Sequence, residues 1–338
     1  MPIPAHHFDS TSDHVASRVS VLAGGDSPER EISLASGEAV TLALRDLGHE
    51  VRELDPAAVR VADCDWRPGE VALLALHGPG GEDGRIQSEL WDHGVAYTGC
   101  GVEASRRAFS KSRAKACFES AGVPTPEAVT LQRGYDPAVP AGLVARWGLP
   151  VVVKPDAQGS SLGVRLVETP AQYGEALDQA FRLGSRVLVE RAIAGQEWTV
   201  GWLDGRPLPA TLIETPRGFF DFEAKYQDER TELSFPDPVA GSTAELVLGV
   251  SREACQAIGT RGLVRVDLLV DESGDPWVLE VNTIPGLTDH SLVPRAARHA
   301  GLGLGQLALE MMASAGTGPR GWHIRQDQML ASRPTPVC

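Results

Sequence analysis

The sequence predicts a multidomain fold of mixed class, α/β at its N-terminal end and α+β beyond it. The chain has 338 residues, longer than one hydrophobic core usually serves. Its first hundred residues alternate strand-like and helix-like apolar patterns, the order of a small parallel layer. Its later half holds short alternating segments that meet at Asp/Gly turns, the pattern of antiparallel hairpins.

Residues 1–17 are polar and rich in His and Ser. They read as a flexible leader, with neither the basic start nor the apolar run of a signal peptide. Arg18–Leu22 is a strand entering Gly24-Gly25. Ile32–Leu47 has helical spacing, and Gly48 stops it. His49–Leu54 reads as a second strand. Val71–Leu76 reads as a third, with the unbroken apolar content of a buried parallel strand. A first domain is therefore expected over 18–105.

Ser105–Gly122 has helical spacing and Pro124–Thr130 is extended. Val151–Lys154 is a strand running into the Gly/Ser loop Asp156–Gly163. Thr169–Phe181 is a helix and Arg186–Glu190 a strand. Glu197–Leu203 and Leu208–Ile213 alternate around the turn Asp204-Gly205. Thr215–Phe235 has little period and reads as a long loop of the kind that forms lids. Ala244–Gly259 is a helix, Leu263–Val270 and Trp277–Val281 are strands, and Leu292–Ala300 and Leu304–Ala313 are helices. Residues 316–338 read as a loose tail.

Composition excludes several functions. With 31 Lys plus Arg against 45 Asp plus Glu, the net charge is −14, which disfavours nucleic-acid and anionic-membrane partners. No apolar run is long enough to span a bilayer. Five cysteines without CxxC spacing fit neither a disulfide framework nor a zinc site, and a cytoplasmic location is expected. Only four basic residues are lysine: Lys111, Lys115, Lys154 and Lys225.

Arg265–Val270, the turn 271–276 and Trp277–Asn282 form the most informative stretch. Alternation puts Arg265 and Asp267 on one face, and Glu280 and Asn282 on one face. A turn centred between Ser273 and Gly274 sets Asp267 opposite Glu280 and Arg265 opposite Asn282. Like charges directly opposite need neutralising. Two carboxylates and an amide oxygen suit Mg²⁺. The alternative is a hairpin with one solvated polar face.

Val151–Lys154 followed by Pro155–Gly163 is a strand and a small-residue loop whose N–H groups can close on phosphate, with Lys154 adding a point charge. It is not the GxxxxGK[ST] phosphate loop, and Gly24-Gly25 is no dinucleotide fingerprint. Beside the hairpin, the loop points to a nucleotide triphosphate. Glu190 to Ile193 and then Glu197 suit the nucleoside end, although spacing alone reads Glu197 equally well as a surface acid.

Gly24–Ser33, His77–Gly84, Lys154–Gly163, Glu223–Tyr226, Arg265–Asp267 and Glu280–Thr288 together resemble the D-alanine–D-alanine ligases of the ATP-grasp superfamily. The resemblance covers about 18–315, with all six motifs in the family's order. It implies a three-domain ATP-grasp architecture: an N-terminal α/β domain (18–105), a central domain (106–205) and a C-terminal domain (206–315) with a lid at 215–235. It also implies ATP-dependent joining of two D-alanines through an acyl phosphate, for peptidoglycan precursor synthesis, by a cytoplasmic homodimer.

The resemblance assigns site residues too. Lys111, Lys154, Ser161 and Lys225 would meet ATP phosphates. Glu190 and Glu197 would hold adenine and ribose, with the backbone of Ala192 and Ile193. Asp267, Glu280 and Asn282 would bind two Mg²⁺, with Mn²⁺ able to substitute. Glu29 would take the first substrate's ammonium, with His77 nearby and Ser160 and Tyr226 linked to Glu29. Arg265 and the Gly286 N–H would stabilise the tetrahedral intermediate; the plainer role for Arg265 is an ion pair with Asp267. Ser291 and the Leu292 N–H would receive the second carboxylate. Lys115 is left as ordinary surface.

Two positions depart from the family pattern. Phe109-Ser110-Lys111 lacks the acid that often precedes this lysine, and Ala192 stands where an aromatic is common. Rival readings are a ligase that takes D-serine, D-lactate or another amino acid as its second substrate, and an inactive nucleotide-binding homologue. Tyr226 argues for the dipeptide-forming type. A Rossmann oxidoreductase is disfavoured by the missing fingerprint.

Overall fold

The computed structural model describes residues 18–215 and 231–316. The leader, the lid stretch 216–230 with Lys225 and Tyr226, and residues 317–338 lie outside the described residues.

The N-terminal part runs β1 (Arg18–Leu22), α1 (Arg30–Asp46), β2 (Glu50–Leu54), β3 (Val71–Leu74), α2 (Arg85–Asp92) and β4 (Ala96–Tyr97). Its strands form a parallel sheet in the order β2-β1-β3-β4. β3 is buried at every residue, as an unbroken apolar run in a parallel sheet must be. The α/β expectation for this part holds.

Two helices follow, α3 (Val102–Phe109) and α4 (Lys111–Ala121). A single helix was expected over Ser105–Gly122. Ser110 breaks it by adopting an extended backbone (φ −86°, ψ 106°), and Lys111 N–H donates to the Asp156 carbonyl at 2.9 Å instead of to the preceding helix.

β5 (Ala128–Gln132), α5 (Ala138–Trp147), β6 (Val151–Pro155), β7 (Arg165–Val167), α6 (Pro170–Leu183) and β8 (Arg186–Arg191) make the middle unit. Its antiparallel sheet has the order β5-β8-β6-β7. α6 starts at a capping box between Thr169 and Gln172, with Pro170 in the first turn. Its face Tyr173, Leu177 and Phe181 packs on Val151, Val153 and Val189.

The third sheet contains β9 (Gly195–Leu203), β10 (Arg206–Pro207), β11 (Thr211–Glu214), β12 (Glu232–Ser234), β13 (Leu263–Asp271) and β14 (Pro276–Asn282), with α7 (Thr243–Ile258) between β12 and β13. Its path is β12-β11-β9-β13-β14, with β10 paired to β9. α7, α3 and α4 cover one face, where Phe118 and Ile258 meet Trp198, Val266 and Val278. Because β9 pairs with β13 along its whole length, this sheet begins at Gly195, before the 205/206 boundary read from the sequence. The strand expected at Leu208–Ile213 begins only at Thr211, and Glu232–Ser234 of the expected loop is a strand against β11.

α8 (Leu292–His299) and α9 (Leu304–Ala313) turn back onto the first sheet, where Leu307 and Met311 join Val21, Leu44 and Leu73. Gly316, placed in the tail from sequence, bridges Tyr97. Helices α2 and α5, only eight and ten residues long, were not expected from the sequence.

Candidate active site

The hairpin of β13 and β14 has the predicted register where it matters. Asp267 faces Glu280 and Arg265 faces Asn282. Toward the turn the register slips: Leu268 faces Val278, which leaves Leu279 unmatched as a β-bulge. A regular strand would send Leu279 and Glu280 to opposite faces. Here both line the same cleft, an apolar side chain beside a carboxylate.

That cleft has a volume of about 850 Å³ and lies between the second and third sheets. Nine residues read from the sequence line it: Lys111, Lys154, Ser161, Glu190, Ala192, Ile193, Glu197, Asp267 and Glu280. Strand order brings them together. β6 delivers Lys154, β8 delivers Glu190, β9 delivers Glu197, and the hairpin delivers the two acids.

Asp267 is buried and heavily committed. Arg265 donates to both its oxygens at 2.8 and 2.7 Å, Thr199 Oγ1 at 2.7 Å and Asn282 Nδ2 at 3.0 Å. The ion-pair reading of Arg265 is thus realised. Glu280 lies 3.3 Å from the Lys111 ammonium. Among the described residues, no group of three or more His, Cys, Asp and Glu side chains is arranged to hold a metal. The donor set of two carboxylates and an amide nonetheless fits a hard divalent cation whose remaining ligands are phosphate oxygens or water. Such a cation would compete with Arg265 and Lys111 for these carboxylates.

The Glu190 carboxylate, at the edge of the cleft, is buried and pairs with Lys154 at 2.5 Å and with Lys115. Burial opposes its ionisation, but Lys154 and Lys115 outweigh burial and hold the carboxyl below its ordinary value. Lys115 is therefore not ordinary surface. It is 4% exposed and donates to Thr125 Oγ1 and the Pro126 carbonyl at 2.8 and 2.7 Å. Burial pushes it down to about 8 against the pull of Glu190. Its spacing of four residues from Lys111 was the available signal, because that spacing puts both on one helix face.

The Gly/Ser loop bends sharply. Ser160 and Ser161 both sit at positive φ, 48° and 57°, a strained conformation that non-glycine residues adopt mainly at functional sites. Ser160 donates to the Glu29 carboxylate across 131 residues of sequence. Gly159 faces the same carboxylate, and a Cβ there would lie 2.7 Å from Glu29 Oε2. The Glu29 loop is itself pinned: Arg30 donates to the Gly25 carbonyl at 2.8 Å and to Asp55 at 2.6 Å, and Arg30 holds the Asp55 carboxyl down at about 2.

His77 is buried within 3.4 Å of Ser36 Oγ, and it lines a separate hollow with Gly24 and Gly25. Burial first, then the Arg265 charge, lowers it to about 4, so it is neutral at neutral pH. Glu82 belongs to the same Gly-rich motif but was given no role from sequence. It is buried and accepts from Gly78 N–H at 2.8 Å. Burial, reinforced by Glu29, raises it to about 8. It lines a small cavity together with Lys111, Gln158, Glu280 and Asn282.

Gly286 and Ser291 lie together, since a Cβ on Gly286 would come within 2.7 Å of Ser291 Oγ. The Ser291 N–H donates to the Thr288 carbonyl at 3.0 Å. Ser291 Oγ accepts from the Thr288 N–H at 3.2 Å and lies 2.9 Å from Thr288 Oγ1. Leu292 opens α8 and packs toward Ile213.

A family model described as "D-ala D-ala ligase C-terminus" matches residues 117–313. A D-alanine–D-alanine ligase of Ectopseudomonas mendocina is 42% identical over 298 residues, 88% of this chain and 94% of that protein. The D-alanine–D-alanine ligase of Bacillus anthracis crystallised with ATP superposes with a TM-score of 0.75 at 29% identity, over 88% of this chain and 96% of that one. A D-Ala:D-Ser ligase from Enterococcus faecalis superposes equally well (0.75) at 25% identity, over 88% of this chain and 97% of that one.

Proposed function

The chain belongs to the D-alanine–D-alanine ligase family, and from that premise we propose that it joins two D-alanines into D-alanyl-D-alanine, converting ATP to ADP and phosphate. The observation that carries the reading is the facing of Asp267 and Glu280 across the hairpin, with Lys111 and Lys154 lining the same cleft. A carboxylate is a poor electrophile. Moving the γ-phosphoryl group onto a carboxylate oxygen of the first D-alanine makes an acyl phosphate and frees ADP. The amine of the second D-alanine then attacks the carbonyl carbon. A C–N bond forms, the C–O bond to phosphate breaks, and the amine gives up a proton.

Leu279 apart, the residue assignments are those that the family resemblance implies. Lys111 and Lys154, with Lys225 from outside the described residues, neutralise the transferring phosphoryl group. Ser161 lies on the loop beside it. Ala192, Ile193 and Leu279 offer an apolar bed for the base, and Glu197 faces the ribose. Asp267, Glu280 and Asn282 would hold two Mg²⁺, which when bound screen the negative charge of the phosphates. Mn²⁺ would serve in the same place. Glu29 holds the first ammonium, and its partner Ser160 orders the incoming amine together with Tyr226. Arg265 and the Gly286 N–H face the oxyanion, and Ser291 with the Leu292 N–H at the start of α8 receives the second carboxylate.

No helix among the described residues is long and apolar enough to cross a membrane. We place the enzyme in the cytoplasm as a homodimer, on the strength of the family resemblance. The test is an ADP-release assay with ATP, Mg²⁺ and D-alanine, D-serine or D-lactate, with product identification. D-alanyl-D-alanine as the main product supports the reading. No D-alanine-dependent ADP release, or a product made only with D-serine or D-lactate, sinks it.

A further inference from the structure

The break between α3 and α4 is built around one acid. Asp156, at the mouth of the Gly/Ser loop and 5% exposed, makes three contacts with the start of α4. Its carbonyl accepts the Lys111 N–H at 2.9 Å. Its Oδ1 accepts the Ser112 N–H at 2.7 Å, and its Oδ2 accepts the Ser110 hydroxyl at 2.9 Å. The first N–H groups of a helix have no partner within the helix, and a carboxylate there is favoured by the dipole as well. Ser110 stands at the N-cap position yet makes no side-chain cap of its own. Its hydroxyl is turned to Asp156. The acid that caps this helix therefore comes from the neighbouring sheet, 46 residues further along the chain.

Lys111 is the first residue of that helix. Its ammonium donates to the Gln158 carbonyl at 2.6 Å and lies 3.3 Å from Glu280. Both ends of its reach are thus referred to the same loop: the backbone through Asp156, the ammonium through Gln158. Arg186 fastens the arrangement from β8, donating to Ser112 Oγ at 2.7 Å with its Nε 3.7 Å from Asp156 Oδ2.

We propose that Asp156 is the positioning residue for Lys111, its carboxylate and its carbonyl together holding the first turn of α4 in place. This deepens the functional reading and rests on it where Lys111 is taken to meet ATP.

The test is a swap. Wild type is compared with Asp156→Ser, Ser110→Asp and the double variant Ser110→Asp/Asp156→Ser. Two readouts are taken: kcat and KM for ATP and for D-alanine, and hydrogen exchange at amides 111–114. Asp156→Ser should lower kcat/KM for ATP about tenfold to a hundredfold, the loss expected when a charged group shifts by about 1 Å. KM for D-alanine should stay within about twofold of wild type, which a general loss of structure would not produce. Ser110→Asp alone sets two carboxylates face to face and should be as damaging. The double variant should recover most of the ATP parameters and the slow exchange at 111–114. Asp156→Asn keeps an acceptor for Ser112 N–H and should fall between, which guards against a folding failure of the serine variant.

The proposal is overturned if Asp156→Ser leaves the ATP parameters and exchange unchanged, or if the double variant is no better than the worse single. If wild type releases no ADP with D-alanine, the functional reading fails and the exchange readout alone decides this one.

Discussion

The Lys115 ammonium lies against the Glu190 carboxylate, with the two side chains only 4% and 3% exposed. Lys115 also binds Thr125, whose hydroxyl donates to the Val278 carbonyl of β14 at 2.8 Å. One lysine therefore ties α4, the middle sheet and the β13–β14 hairpin together. Replacing it with Met leaves Glu190 with Lys154 alone in a buried setting. Lys115→Met should lose on the order of 3 kcal/mol of stability and bind ATP more weakly. Urea melts and a calorimetric ATP titration check this; stability unchanged to within about 1 kcal/mol would show the pair to be incidental.

Glu280→Gln should shift the Mg²⁺ requirement for ADP release to higher concentration, because one hard anionic ligand becomes neutral. The Lys111 contact at 3.3 Å would weaken at the same time. An unchanged Mg²⁺ titration would count against the hairpin as the metal site.

Arg265→Ala should depress kcat by roughly a hundredfold or more, far beyond its effect on KM for ATP. The reason is that an oxyanion is present in the transition state and absent from the bound substrates. A change confined to KM would leave Arg265 as the counter-ion of Asp267 and nothing more.

Glu82 yields a pH prediction. Its folded value of about 8 lies above the ordinary 4.5, with burial the leading cause. The folded state holds this proton more tightly than the unfolded chain. The stability it contributes is complete below about 4.5 and is lost as pH rises through 8. Glu82→Gln cannot ionise, so its melting temperature should gain on wild type progressively from pH 4.5 to 8. Parallel melting curves for the two proteins across that range would refute a buried protonated carboxyl.

Much of the candidate site was legible in the chain because its parts are local. The hairpin spans 18 residues, and alternation with one tight turn was enough to set Asp267 opposite Glu280. The Gly/Ser loop announced itself by composition, and the small α/β layer by its unbroken apolar strand. The bulge at Leu279 was not legible, since period-two counting assumes no extra residue and cannot say where a strand will slip.

What the chain could not determine alone was which distant group each charge would meet. Lys111, Lys115 and Lys154 stood out by scarcity, but Lys115 faces inward only because α4 packs between two sheets. Ser160 reaches Glu29 across 131 residues, and Asp156 reaches Ser110 across 46. Local pattern encodes the period of an element and the place where it turns. Partner choice across such separations is decided by how helices and sheets pack, where burying a charge is tolerated only if its counter-charge is already in place.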